Sequence, residues 1–233
     1  MPRDGSRRAC LAARSPTIAR ESSFRWTASR GPLRKEGYVS TQTRETSTKT
    51  TEERLGQVRR KIDQAKAKAD SATQEAKARV GHRIDDLEAR KTKFQAQIRE
   101  AREADDRAWE DAYAELTLEL DEADAELAVI DAQLEAEFAA DQAAYAAAVQ
   151  SNLDAWNAYL DAMQARADAD KESVRNKFGE AVSSVKQKKA AADQRLKELR
   201  QSSGEAWTTK RLGMNEAIGD LDRSAQEAAS KFN

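Results

Sequence analysis

The sequence contains no proline from residue 33 onward, because Pro2, Pro16 and Pro32 all lie near the N terminus. Proline is the strongest helix breaker, so the rest of the chain is free to form long helices. From residue 52 apolar residues recur at steps of three and four, and the residues between them are mostly Ala, Glu, Lys, Arg and Gln, which favour helices. The two-residue alternation typical of strands is absent from the sequence. The sequence therefore predicts an all-α fold.

The apolar spacing also predicts how the helices pack. The mean step is about 3.6 residues, close to a straight helix, and paired four-residue steps unwind a left-handed supercoil locally. We expect long, nearly straight helices that form antiparallel α-hairpins or a coiled coil of elongated shape. The apolar stripe also supplies structural and interface candidates, namely Leu116, Leu120, Leu127, Leu134, Phe138, Leu196 and Leu199.

An internal duplication sets the size of the repeating unit. A shift of 98 residues aligns 54–135 with 152–233 without a gap. A lone glycine and an Ala-Trp pair fall in register, which is rare among Ala-rich helices. We therefore expect two helical-hairpin units, 52–135 and 152–233. The Ala-rich connector 136–151 contains no Gly or Pro, and its continuation as helix would fuse the flanking helices into one rod.

Each unit has the same internal plan. A helix of about 50 residues precedes a break at 103–106 or 201–204, and a shorter helix follows it. Trp109 and Trp207 fall in the first turn of the shorter helices, where each is either a plug that closes the hairpin or a ligand contact. Gly81 and Gly179 are interpreted as sites of close helix approach or of a local bend. Trp156 is a further interface candidate.

Charge is strongly segmented along the chain. Residues 103–170 contain two basic residues against 19 carboxylates, a net charge of −17, whereas 51–102 carries +5 and 171–233 carries +4. Such an acidic block repels itself and needs basic neighbours to stay compact. We therefore expect the basic helix of 52–102 to fold against the acidic helix of 106–135. The remaining carboxylates form either a solvated face or a weak attraction for divalent cations or a basic partner.

The residues needed for most site chemistry are scarce. The chain has one histidine, His82, and one cysteine, Cys10. One cysteine excludes disulfide frameworks and multi-Cys metal sites, and a bundle di-iron site needs Glu-x-x-His pairs that the chain lacks. Neither EF-hand spacing nor a phosphate-binding Gly loop occurs. His82 lies in a polar run and is expected to be a solvated helix residue. The sequence thus predicts no enzyme, no cofactor and no metal site, and no apolar stretch approaches the ~18 residues of a membrane span.

Residues 1–50 have a net charge of +7 and no apolar period, so the sequence predicts a disordered basic leader over 1–50. The twin arginine Arg7-Arg8 is typical of export signals, but no apolar stretch follows it. An Arg- and Ser-rich leader is also typical of organelle transit peptides. A disordered basic tail is a third interpretation. We favour a fourth, in which translation starts at Val39, so that residues 1–38, including Cys10, are absent from the native protein.

The second unit resembles a known family. Its segments Leu153-Asp154-Ala155-Trp156, Leu196-Lys197-Glu198-Leu199 and Gly204-Glu205-Ala206-Trp207, with the closing Lys231-Phe232, are similar to the small stress-induced coiled-coil proteins of cyanobacteria and other bacteria. The first unit is more divergent, with Val58 in the place of Trp156, and residues 1–50 are not covered. The resemblance implies a tandem bacterial relative with a cytoplasmic stress association and supplies no catalytic residues.

Three function classes follow from these observations. The first is a non-enzymatic coiled-coil protein that acts through self-association as a homo-oligomer, or through contact with another helical protein. The second is an amphipathic-helix binder of membrane surfaces or a chaperone-like binder, which the −17 block disfavours on anionic lipid. The third is weak association with nucleic acid through the basic helices, for which the chain has no recognisable module.

Overall fold

The computed structural model of the chain describes the backbone of residues 41–169 and 172–230, and the side chains of 43–169 and 179–230. All regular secondary structure in these ranges is helical, so the all-α prediction is confirmed. The helices are α1 (Thr41–Ser71), α2 (Gln74–Glu103), α3 (Asp106–Glu137), α4 (Gln142–Ala169), α5 (Glu172–Arg200) and α6 (Gly204–Ala229).

Helix α1 begins at Thr41, within the stretch that the sequence assigns to a disordered leader. The Arg44 side chain explains why this polar segment is ordered. Its guanidinium pairs with Asp106 at 3.0 Å and donates to the backbone oxygen of Ala104 at 2.8 Å. Tertiary contact therefore extends the helix beyond its apolar stripe, and the predicted boundary at residue 50 is wrong. The predictions for residues 1–40, including the start at Val39 and the position of Cys10, lie outside the described residues.

The predicted helix of about 50 residues is two helices. Helix α1 ends at Ser71 and α2 begins at Gln74, with Thr73 as its N-cap. The Thr73 hydroxyl accepts a hydrogen bond from the Ala76 backbone N–H at 3.3 Å and donates to Glu137 at 2.7 Å. A hydroxyl at this position satisfies a helix N–H that otherwise lacks a partner. Apolar spacing continues through the break, which is why periodicity alone did not indicate it.

The Ala-rich connector does not fuse the flanking helices into one rod. Helix α3 ends at Glu137 and α4 begins at Gln142, so the Ala-rich connector contains a turn at 138–141. The Asp141 carboxylate accepts a hydrogen bond from the Ala144 backbone N–H at 2.8 Å, which caps the start of α4. Alanine has high helix propensity but cannot hold two helices in line against the packing of α3 on α4. The chain therefore reverses direction here.

Helices α1, α2 and α3 form the first bundle. The ion pairs Glu52–Arg102 (2.6 Å) and Lys66–Glu88 (3.0 Å) show that α1 and α2 are antiparallel. Basic α1 packs against acidic α3, as the charge blocks predict. The pairs between these two helices have numbers that rise together, so the helices run parallel: Arg44–Asp106, Arg54–Asp121, Lys61–Asp124 and Lys68–Asp131. The core contains Leu55, Val58, Ile62, Val80, Ile84, Leu87, Phe94, Ile98, Leu116, Leu120, Leu127, Ile130 and Leu134.

Helices α4, α5 and α6 form the second bundle. Arg200 donates to the Gln150 side chain at 3.1 Å, so α4 and α5 are antiparallel, whereas Tyr145 donates to Asn215 at 2.6 Å and α4 runs parallel to α6. Val129 of α3 belongs to this second core and ties the bundles together. Large members of the core are Tyr145, Val149, Leu153, Trp156, Leu160, Met163, Val182, Val185, Leu196, Leu199, Met214 and Leu221.

The helix boundaries support the internal duplication. A shift of 98 residues carries the end of α1 onto the end of α4, and the starts of α2 and α3 onto the starts of α5 and α6. One polar contact is repeated as well. Arg44 donates to the backbone oxygen of Ala104, and Gln142, 98 residues later, donates to that of Ser202 at 2.6 Å. The repeating unit is thus a three-helix bundle that begins near residues 41 and 142, rather than a two-helix hairpin beginning at 52 and 152.

Candidate functional site

A polar cavity of about 350 Å³ lies where the two bundles meet. Helix α2 supplies Arg83 and Arg90 to its lining, and α4 supplies Tyr159 and Arg166. Helix α3 supplies three carboxylates, Glu119, Glu122 and Glu126, and the end of α6 closes one side. We call the charged side chains around this cavity, together with Asp222 and Gln133, the inter-bundle network.

Arg83 is the centre of the inter-bundle network. Its side chain is 3% exposed, its Nε donates to Glu126 Oε1 at 3.0 Å, and its Nη1 donates to Asp222 Oδ1 at 3.1 Å. The guanidinium carbon also lies 5.1 Å from the ring centroid of Trp156 and 5.5 Å from that of Tyr159. A cation above aromatic faces is attracted by the ring quadrupole. Arg83 of α2 thus contacts α3, α4 and α6 at once.

The outer part of the network lies beside the cavity. Arg90 bridges Glu122 (3.3 Å) and Glu126 (3.1 Å). Arg166 of α4 bridges Glu122 (2.9 Å) and Glu119 (3.3 Å), so an arginine of the second bundle neutralises carboxylates of the first. These carboxylates are spaced by three and four residues, which places them on one face of α3.

In the inter-bundle network the carboxylates of α3 are more deeply buried than the arginines that pair with them. The side chains of Glu119, Glu122 and Glu126 are 2–8% exposed, whereas those of Arg90 and Arg166 are 22% and 23% exposed. The carboxylates are therefore sealed beneath guanidinium groups that reach the cavity. A buried charge is very costly unless it is paired and hydrogen-bonded, which explains why each of these carboxylates contacts at least two cations.

The pKa shifts follow the same contacts. Burial raises the pKa of the Asp222 carboxyl above its ordinary value of 3.8, against the attraction of Arg83. Burial alone would also raise the pKa of Glu119, but hydrogen bonds from Lys93 and Gln97 and the charge of Arg166 hold it below 4.5. Burial raises the pKa of the Tyr159 hydroxyl far above its ordinary value. Tyr159 therefore stays protonated at neutral pH.

We expect Glu119→Gln to flatten the acid side of the stability profile. A carboxyl whose folded pKa lies below its unfolded value adds stability above the unfolded pKa, and this stability is lost as pH falls below about 4.5. Urea unfolding from pH 6 to pH 3 measures the loss, which should be larger in the native protein than in the variant. Asp222→Asn is a control in which the pH effect has the opposite sign. Because the folded pKa of Asp222 is raised, its contribution to stability declines as pH rises above 3.8, and the variant lacks this decline. Parallel profiles for the native protein and Glu119→Gln would contradict this assignment.

The two predicted tryptophan plugs lie at the ends of the bundles. Trp109 is buried, stacks on Tyr113 with ring centroids 5.2 Å apart, and has the Arg44 guanidinium 5.5 Å from its ring centroid. Trp207 is half-buried and meets Tyr145 edge to face at 6.0 Å. Each tryptophan is the fourth residue of its helix and packs against an aromatic ring, which suits the role of a plug at the bundle end.

The other interface candidates divide by burial. Phe138 is 50% exposed at the end of α3, because the chain turns there instead of continuing as helix, so its place in the core is corrected. The fully buried Trp156 contacts Arg83 rather than a hairpin end. The predicted leucines are all buried: Leu116, Leu120, Leu127, Leu134, Leu196 and Leu199.

Of the two interpretations of Gly81 and Gly179, close helix approach is wrong, and the local bend stays a prediction. A Cβ atom placed on either residue would meet no neighbouring atom within 4 Å. The glycine whose conformation matters is Gly204, whose φ of +58° lies in the left-handed region at the start of α6. His82 is exposed on α2, as its polar surroundings predict.

Arg83, Asp222 and Asn152 were not predicted as functional residues, although their spacing from apolar neighbours is a signal of burial. Arg83 lies three residues after Val80 and four before Leu87, at positions where the apolar stripe predicts burial. Asn152 is fully buried and donates to the Val129 backbone oxygen at 3.0 Å. A charged or amide side chain at stripe spacing indicates a buried polar contact, but which helix provides its partner depends on tertiary packing.

Two exposed surfaces of opposite charge lie outside the inter-bundle network. A groove of about 480 Å³ between α1 and α2 has Leu55 and Ile98 beneath it and the exposed side chains of Arg59, Arg99 and Arg102 along it. We call it the cationic groove. On α4, Asp154, Asp161 and Asp168 are exposed and seven residues apart, so they share one helix face, the acidic face.

The described part of the chain offers neither a metal site nor a membrane span. Within it, no group of three or more His, Cys, Asp and Glu side chains is arranged to hold a metal ion. None of the described helices combines the length and the apolar character needed to cross a membrane. No family model, curated protein or solved structure matches this chain, so the site is interpreted from its own residues.

Proposed function

We propose that this chain is a non-enzymatic helical protein that acts by self-association, through contact between the cationic groove of one copy and the acidic face of another. The observation that carries the proposal is the presence of two exposed helical surfaces of opposite charge on one chain. Oppositely charged surfaces steer association and fix its register. The inter-bundle network is turned inward and serves the fold.

The cationic groove has the composition of a helix-binding surface. Its central part contains Leu55, Gly56 and Ile98, and its arginines offer more cationic charge than the single carboxylate, Glu52, can neutralise. Glu52 pairs with Arg102 at 2.6 Å, whereas the Arg99 Nε donates to its own helix at Gln95 O, 3.3 Å away. An amphipathic helix with an acidic edge fits a groove of this kind.

The acidic face of α4 supplies such an edge. Its carboxylates are spaced by seven residues, about 10 Å along the helix. Helix α4 contains one basic residue, Arg166, and that residue is turned toward Glu119 and Glu122. The exposed side of α4 therefore carries negative charge along with small residues such as Ala158, which allow close helix approach.

The stress association and the cytoplasmic location belong to the same proposal and rest on the resemblance of the second unit to small bacterial stress proteins. Binding to anionic membranes and binding to nucleic acid would use the same arginines. They are therefore treated as outcomes of the test rather than as parts of the proposal.

Sedimentation velocity of the full chain in 0.1 M and 1 M NaCl tests the proposal. We expect an oligomer at 0.1 M that dissociates at 1 M, because the Debye length falls from about 10 Å to about 3 Å. Arg59→Glu/Arg99→Glu should weaken association at least about tenfold. The matched control is Lys186→Glu/Lys188→Glu, which reverses two exposed charges on α5 and should associate like the native protein.

Other outcomes would contradict self-association. A monomer at both salt concentrations, or equal weakening by the two charge reversals, would do so. Helix content gained only on anionic vesicles, followed by circular dichroism, would indicate the membrane-surface class instead. Salt-sensitive retardation of duplex DNA that is lost in Arg59→Glu/Arg99→Glu would indicate nucleic-acid binding.

A further inference from the structure

The last two turns of α6 are held in an unusual way. Up to Leu221 the buried residues of α6 are Met214, Ala217, Ile218 and Leu221, and three of these four are large and apolar. Beyond Leu221 its buried residues are Asp222, Ala225 and Ala228. Because burial free energy scales with apolar area, two alanines attach this segment weakly compared with the turns before it.

The same two turns form one wall of the inter-bundle cavity. Ala225, Gln226, Ala229 and Ser230 line it, opposite the side chains of α2 and α3. Gln226 and Ser230 are exposed, so the outer side of this wall faces solvent. Movement of residues 222–230 away from α2 would therefore open the cavity over its guanidinium groups.

Asp222 makes the polar contacts that hold this wall in place. Both of its carboxylate oxygens accept a hydrogen bond from Gln133 Nε2 of α3 at 2.8 Å, and Oδ1 also accepts from Arg83 Nη1 of α2 at 3.1 Å. These contacts join α6 to the first bundle across the interface. Hydrogen bonds to a charged group are stronger than neutral ones, and they are stronger still when the group is 5% exposed.

We propose that residues 222–230 are a lid over the inter-bundle cavity and that Asp222 is the catch that keeps the lid closed. Opening breaks the contacts of Asp222 and exposes two alanines, whereas Leu221 and the residues before it remain packed. The lid therefore opens by local unfolding at a free energy below that of the whole bundle. The duplication offers an internal comparison, because the residue equivalent to Asp222 is Asp124, a partly exposed residue that pairs with Lys61 at 2.8 Å.

Hydrogen exchange of the full chain tests the lid. In Asp222→Ala we expect the amides of residues 225–230 to exchange at least about tenfold faster than in the native protein, with the amides of α3 unchanged. Asp124→Ala, the matched control from the first bundle, should leave residues 225–230 unaffected. Equal exchange of residues 225–230 in the native protein and in Asp222→Ala would overturn the proposal.

A measurement on the native protein keeps the test valid if Asp222→Ala fails to fold. The free energy of the opening through which the amides of residues 225–230 exchange should fall only slightly with urea, because this opening exposes little surface. The amides of 214–221 should follow a steeper dependence. Exchange of residues 225–230 only through the same steep opening as 214–221 would show that no lid exists.

Discussion

Replacing Arg83 with methionine is expected to lower the free energy of unfolding by about 3–5 kcal/mol. Methionine keeps most of the volume but removes the charge that Glu126 and Asp222 face at 3.0 and 3.1 Å. Although burial by itself would lower the pKa of Arg83, the two carboxylates raise it, so the guanidinium stays charged. The variant leaves two buried carboxylates short of a partner. Equilibrium urea unfolding followed by circular dichroism measures the loss.

Two further variants test whether the loss in Arg83→Met comes from leaving buried carboxylates unpaired rather than from the removal of any arginine. Arg54→Met removes a cation whose side chain is 28% exposed and which pairs with Asp121 and Asp124, and it should cost less than about 1 kcal/mol. Arg83→Met/Asp222→Leu removes both members of the buried pair and should cost less than Arg83→Met alone, because apolar replacement of a buried pair is often tolerated. Equal losses for Arg83→Met and Arg54→Met would refute the central role of Arg83.

Replacing Trp156 with alanine, as a separate single substitution, is expected to lower the free energy of unfolding by about 3–5 kcal/mol. Trp156 is fully buried in the second core, meets Tyr159 edge to face at 5.6 Å, and lies beneath the Arg83 guanidinium. Alanine would leave a cavity and remove the cation–π contact together. Thermal and urea unfolding measure the change.

Trp207→Ala is the control for this prediction. Trp207 is half-buried at the end of the second bundle. Its replacement by alanine should lower the free energy of unfolding by about 1–2 kcal/mol, since part of the Trp207 surface already faces water. A loss for Trp207→Ala as large as that for Trp156→Ala would mean that the bundle end, rather than the interface, dominates stability.

The two repeats show how far the sequence pattern reaches. Val58 and Trp156 are equivalent positions and both are fully buried, as are Phe94 and Ala192 at 1% and 0% exposure. Small and large residues exchange places between the bundles, which fits the tolerance of cores for volume-conserving changes. The apolar stripe thus predicts which positions are buried in both units, while the size at each position depends on what packs opposite.

The breaks show where prediction from local sequence ends. The break at 103–106 was predicted because Asp is a strong N-cap residue. In the structure the Asp105 carboxylate accepts a hydrogen bond from the Ala108 N–H at 2.9 Å. The breaks after Ser71 and Glu137 were missed, because good helix formers continue on both sides of them. Whether such a chain bends depends on the apolar area buried when the next helix folds back, which local propensity does not contain.

By itself, the sequence determined that this chain is helical, and it predicted that basic helices pack against an acidic one. It also predicted a duplication at a spacing of 98 residues, which the helix boundaries support. These properties follow from residue type and spacing, which act locally or between whole segments. Only the tertiary structure decided that three helices form each bundle and that Arg83, Glu126 and Asp222 meet between them. Asp222 lies 139 residues from Arg83, and a contact across that distance is set by how the bundles pack rather than by any pattern along the chain.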